Sequence, residues 1–131
     1  MEVKSKIEEQ AIAANKAARV LANVSTKVKN EALKAMAEAL CLCKNYILEE
    51  NKADMESARQ NGMSESMLDR LMLTEGRIEG MAEGLKQVAE LADPVGEVIA
   101  GRQLANGLSL TKIRVPLGVI AIIYEARPNV T

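Results

Sequence analysis

The residues best equipped for chemistry stand together at the end of the chain. In VPLGVIAIIYEARPNVT, residues 115–131, the most apolar run is followed at once by Tyr124, Glu125, Arg127 and Asn129. Arg127 carries a planar fork of donors suited to a phosphate or carboxylate, and the Asn129 amide can donate to a developing oxyanion. In open α/β sheets, ligands bind beyond the carboxyl ends of the strands, which is where this cluster lies if residues 118–124 form a strand. The same residues equally suit an ordinary strand-to-helix turn, with Pro128 setting the geometry and Asn129 capping a helix.

Other chemistry is narrowed by what the sequence lacks. There is no histidine, which removes the commonest general base and the commonest metal ligand together. Cys41 and Cys43 are two apart in a helical pattern, so their side chains diverge, and no further Cys or His pair completes a zinc site. They are expected to be buried structural thiols of a reducing compartment, with no metal or redox role. Seventeen Lys and Arg stand against eighteen Asp and Glu, a net charge of −1 with the signs interspersed. Without a basic stripe or stacking aromatics, nothing favours a nucleic-acid partner. The charged start MEVKSKIEEQ has no apolar leader region, and no run approaches bilayer length, so a soluble cytoplasmic protein is expected.

Positioning falls to helices for the first two thirds. Val3, Ile7, Ala11, Ala14, Ala18 and Leu21 step by three or four along one stripe, and Val28, Ala32, Met36, Ala39, Leu40 and Cys43 repeat that spacing after a cap at Ser25. A bend or break is expected at Lys44 and Asn45. Ile47, Leu48, Met55 and Ala58 continue to Asn61-Gly62, where glycine permits a left-handed cap. Ser64 and Thr74 are expected to cap two further helices. Gly76, Gly80 and Gly84 in the second mark either a close-packing seam or a weak helix. Asp93-Pro94 ends the helical region.

Beyond Pro94 two alternating runs meet at Asn106-Gly107, predicting a hairpin with a type I′ turn. The β-branched run GVIAIIY reads as a strand covered on both faces in a parallel sheet. Its parallel neighbours would need crossovers that the 131 residues do not supply. A chain belonging to something larger is therefore expected.

The run VPLGVIAIIYEARPNVT, together with LEENKADMESARQNGMSESMLDRLMLTEGRIEGMAEGLKQVAELADPVGEV, resembles the N-terminal third of the γ-glutamyl phosphate reductase family, within the aldehyde dehydrogenase superfamily. The resemblance spans essentially the whole chain. It implies an α/β parent fold of which this chain holds a mainly helical region (1–93), a β-hairpin of the oligomerisation sheet (94–116) and the first strand of a parallel sheet (117–131), the cut-off start of a Rossmann-like NADP-binding domain. The implied activity is NADPH-dependent reduction of L-glutamate 5-phosphate to the 5-semialdehyde with release of phosphate, a step of proline biosynthesis. The family's cysteine nucleophile lies downstream of the counterpart of Thr131 and does not match Cys41 or Cys43, so these residues alone are expected to be inactive. By the same resemblance Tyr124, Glu125, Ala126 and Arg127 line the cofactor site, and Asn129, or the Arg127 position, supplies the oxyanion donor. A homo-oligomer through the hairpin or the exposed strand is implied. The alternative is a free-standing helical module, derived from that enzyme, that binds a protein partner.

Overall fold

The computed structural model describes residues 2–130, with side chains described from residue 6. Val3 of the first stripe and Thr131 at the end of the last segment lie outside the residues whose side chains are described. The chain divides into two units, one of Met1–Thr26 with Ala92–Ala121 and one of Lys27–Leu91 with Ile122–Thr131.

The second unit holds α2 (Thr26–Leu42), α3 (Lys44–Gln60), α4 (Glu65–Leu71), α5 (Glu75–Glu90) and a 3₁₀ turn at Pro128–Val130. The expected break falls at Cys43, one residue early, where φ −88° and ψ 8° leave the helical region. Because the Cys43 amide still donates to the Ala39 carbonyl at 2.9 Å, and the Ile47 amide to the Cys43 carbonyl at 3.0 Å, the chain is redirected rather than stopped.

α3 ends as its sequence dictates. Gly62 takes φ +75°, the Gly62 amide donates to the Arg59 carbonyl, and the Met63 amide reaches back to Ala58. This double closure satisfies two orphan carbonyls, and it turns Met63 onto the cluster of Met55, Ala58 and Leu68. The Thr74 hydroxyl accepts from the Arg77 amide at 3.2 Å and caps α5. Ser64 precedes α4 without a side-chain cap bond; its carbonyl accepts the Met67 and Leu68 amides instead. The core of the unit is small, with Ala37, Met55, Ala58, Leu68, Ile78, Ala82 and Ala89 buried.

The buried face of α2 departs from the expected stripe. Ala37 is fully buried and Leu33 and Leu40 partly so, whereas Val28 and Met36 are half exposed. Alanine is too small to signal which of two adjacent faces is covered. Asn51, a polar residue absent from the expected core, is buried at 7% exposure because both ends of its amide are used. Its Nδ2 donates to the Leu71 carbonyl at 2.9 Å and its Oδ1 accepts the Leu73 amide at 2.7 Å.

The first unit holds α1 (Glu2–Leu21) and a hairpin of β1 (Val98–Gln103) and β2 (Ser109–Ile113). Along α1 the expected stripe is exposed at Ile7, Ala11, Ala14 and Leu21 and half-buried at Ala18. The strands are antiparallel, Gln103 opposite Ser109 and Val98 opposite Ile113, with an irregularity between Val98 and Ala100. An Arg114–Glu97 ion pair at 2.7 Å closes the open end. The turn differs from the expected type I′. Leu104 and Leu108 bracket three loop residues, the Gly107 amide donates to Leu104 at 2.9 Å, and the only positive φ in the loop is the +85° of Gly107. Asn106 keeps a negative φ and accepts the Leu108 amide on its side chain at 3.2 Å. Asn-Gly fits a type I turn followed by a left-handed glycine as well as it fits type I′.

The expected strand at 118–124 is not paired. It joins no ladder among the described residues, since the only sheet is the β1–β2 hairpin, and Leu117 and Ile123 are 92% and 98% exposed. A strand exists by virtue of its neighbours' hydrogen bonds, and the described residues provide none there. The parallel sheet of the expected fold class is accordingly not realised within these residues.

Candidate functional site

A groove of about 1310 Å³ runs through the second unit. Its walls come from α2 and the bend (Met36, Ala39, Leu40, Cys43), from α3 (Ile47), and from α5 (Gly80, Met81, Gly84, Leu85, Val88). Four residues of the expected α2 stripe, Met36, Ala39, Leu40 and Cys43, therefore line this groove, whereas Val28 and Ala32 do not. The glycines of α5 are not a packing seam: a Cβ added at Gly76, Gly80 or Gly84 meets nothing within 4 Å. At Gly80 and Gly84, one turn apart, the missing side chains keep the floor of the groove open.

The polar lining comes from three segments. Asp69 and Arg70 come from the last turn of α4, Arg77 from the first turn of α5, and Arg127 and Asn129 from the chain terminus. Two clamps hold the α4–α5 linker that places the first three. Asn51 grips its backbone on both sides of Met72. The Arg77 guanidinium donates to the carbonyls of Asp69 and Met72 and pairs with the Asp69 carboxylate at 3.2 Å. Those carbonyls belong to the end of α4, which has no intrahelical partners to offer them, so Arg77 acts as a C-cap from the next helix.

A third tie joins α3 to α5. Lys44 bonds Glu75 at 2.8 Å and Glu79 at 3.4 Å. The hydrogen bond to Glu75 raises the Lys44 pKa, and the same bond lowers that of Glu75.

Ala126 turns the terminus toward the groove. Its φ of +48° is a left-handed value that costs an alanine roughly 1 kcal/mol or more. Pro128 then opens the 3₁₀ turn, and the Val130 amide donates to Arg127 at 3.1 Å. Asn129 sits inside that turn.

Of the sequence-derived site residues, the structure brings Arg127 and Asn129 together in the groove. Tyr124, Glu125 and Ala126 are not among the lining residues. Arg70, Arg77, Asp69 and Asn51 were missed. No motif marks them, and only the fold carries residues 57 positions apart, Arg70 and Arg127, to one groove. Both cysteines are exposed, contrary to the expected burial, because the α2–α3 bend presents them outward. Cys43 is thus a groove residue rather than a core one. Among the described residues no three His, Cys, Asp or Glu side chains gather as a metal site, and no helix is long and apolar enough to cross a membrane.

Comparison with known proteins gives a consistent answer, although no family model matches the chain. The γ-glutamyl phosphate reductase of Halothermothrix orenii is 55% identical over 131 residues, all of this chain and 31% of that protein. The γ-glutamyl phosphate reductase of Clostridium novyi is 55% identical over the same span, again 31% of its length. Among solved structures, γ-glutamyl phosphate reductase from Thermotoga maritima superposes with a TM-score of 0.88 at 46% identity, covering 93% of this chain and 30% of that one. The Saccharomyces cerevisiae enzyme gives 0.83 at 40% identity, covering 89% and 30%. The resemblance read from YEARPNVT and the helical segments is borne out across the chain, which spans about a third of the length of the curated relatives it matches.

Proposed function

We propose that this chain is the N-terminal portion of a reductase that converts L-glutamate 5-phosphate to L-glutamate 5-semialdehyde and phosphate in proline biosynthesis, in the cytoplasm. The observation that carries the proposal is the joint one: 55% identity along all 131 residues to proteins about three times as long, and an apolar segment at 117–123 left exposed. The exposed segment fits a piece whose sheet neighbours lie in the rest of the polypeptide. On this reading residues 1–93 are the helical region, 94–116 the hairpin of an oligomerisation sheet, and 117–131 the entry to the cofactor domain. The unpaired edges of β1 and β2 suit a homo-oligomer contact.

NADPH, when bound, would supply the hydride. Tyr124, about half exposed, with Glu125 and Ala126 beside it, fits a surface against which a nucleotide lies, whereas Arg127 turns into the groove with Asn129. The residues of this chain would bind and orient the acyl phosphate, and the Asn129 amide would donate to the oxygen that gains charge as the acyl carbon is attacked. The attacking thiolate, which suits an acyl phosphate as both nucleophile and leaving group, is neither Cys41 nor Cys43 on this reading. The chain alone is therefore inactive.

The test is a chimera in which these residues replace the matching 131 of the Halothermothrix orenii protein. It should oxidise NADPH in the presence of L-glutamate 5-phosphate, and Asn129→Ala in it should lower kcat by about 10²–10³. A folded chimera without that activity would overturn the reading.

A further inference from the structure

We propose that Arg70 and Arg127 form an anion subsite in the groove beside Asn129, taking a carboxylate or phosphate group of the substrate; this rests on reading the groove as the substrate side of a reductase. Three guanidinium groups line the groove, and they are not equivalent. Arg77 is fully engaged by two carbonyls and by Asp69. Asp69, the one carboxylate among the described lining residues, is consumed by that same pair.

Arg70 and Arg127 are what remain. Neither has a side-chain partner among the described residues, and both are exposed to the groove's solvent. Two cations in one groove, with no carboxylate but the engaged Asp69 among the lining residues, attract an anion rather than a cation or a neutral ligand. A guanidinium offers forked donors that match a carboxylate or a phosphate, and the apolar walls around Met81 and Leu85 lower the local dielectric and strengthen the attraction. Placement follows from the backbone. Arg70 sits on a helix end pinned by Asn51 and Arg77, and Arg127 is aimed by the left-handed Ala126 and the 3₁₀ turn. The Asn129 amide lies in the same groove, so an anion held by the two arginines keeps the rest of its molecule within reach of that donor.

The experiment is an NMR titration of the arginine Nε–Hε signals of this 131-residue chain at constant ionic strength. L-Glutamate, inorganic phosphate and NADP⁺ are added in separate arms. The expected result is a saturable shift of Arg70 and Arg127 with L-glutamate, with phosphate, or with both, while Arg77 stays still. Shifts with L-glutamate assign the subsite to the substrate's carboxylate, and shifts with phosphate alone assign it to the transferred group. The shift of Arg127 should be lost in Arg70→Gln, whose fold is checked by unchanged circular dichroism. Movement with NADP⁺ only would overturn the proposal in favour of a cofactor contact. No saturable shift, or equal shifts of the outlying Arg19, Arg59 and Arg102, would overturn it outright. An inactive chimera with these shifts intact would overturn the function and leave the subsite standing. An active chimera without them would do the reverse.

Discussion

Replacing Asn51 by alanine removes both grips on the α4–α5 linker at once. The side chain is buried, and its bonds to the Leu71 carbonyl and the Leu73 amide are short, 2.9 and 2.7 Å. Alanine leaves that carbonyl and that amide without partners, and each such orphan costs about 1–3 kcal/mol. The linker is only part-buried, so water satisfies some of the deficit, and the expected loss is about 2–4 kcal/mol. For a chain of 131 residues roughly 4 °C accompanies each kcal/mol, which places the fall in Tm at roughly 8–16 °C. The assay is thermal unfolding followed by far-UV circular dichroism, with urea unfolding to check that the slope is unchanged. Asn51→Asp keeps the acceptor and loses the donor, and should fall between. Gln60→Ala, which removes only an exposed bond to Glu56 one helical turn away, is the control and should stay within about 0.5 kcal/mol. An Asn51→Ala protein as stable as that control would refute the view that this residue holds the linker, and with it the account of how Arg70 is placed.

Three further outcomes are expected. Leu68→Ala, at a site 3% exposed within the Met55–Ala58 cluster, should cost about 2–4 kcal/mol in urea unfolding. Gly84→Ala should instead stabilise the chain by about 1 kcal/mol, because an alanine is the better helix former and its Cβ meets nothing, while it narrows the groove and weakens anion binding in the titration. The Lys44–Glu75 tie makes stability pH-dependent at both ends. Glu75 has a lowered pKa, so its contribution is present above the ordinary value of 4.5 and is lost as pH falls through the folded value below it. Lys44 has a raised pKa, so its contribution is complete below 10.5 and is lost as pH rises through the folded value above it. Lys44→Met should flatten stability-versus-pH curves at both extremes; curves that overlay those of the parent would contradict this.

Elements governed by local chemistry were legible in the sequence. The Gly62 closure of α3, the Thr74 cap of α5 and the hairpin around Asn106-Gly107 each depend on a few adjacent residues whose conformational preferences are strong. What required the fold depends on residues distant in the chain. The covered face of α2 is set by its neighbours, and with Leu33, Met36, Ala37 and Leu40 all apolar, periodicity does not separate a core face from a groove face. Asn51 reads as a surface residue until its two backbone partners, 20 and 22 positions away, are known. The site was half legible. YEARPN singled out Arg127 and Asn129 because polar groups after an apolar run are distinctive, whereas Arg70 lies among ordinary helix charges. The turn type at Asn106-Gly107 was missed for a different reason, since one residue pair serves two loop lengths. The strand at 118–124 was read from a composition suited to burial on both faces, and nothing among the described residues pairs with it or covers it.

The most direct test of the account is amide hydrogen exchange at residues 118–123, measured in this chain and in the chimera. The account predicts rapid exchange in the chain alone. It predicts slowing by a factor on the order of 10³ or more in the chimera, as for a central strand whose hydrogen bonds open only with the core. Equal exchange in the two proteins would contradict the claim that this segment is completed by the rest of a reductase.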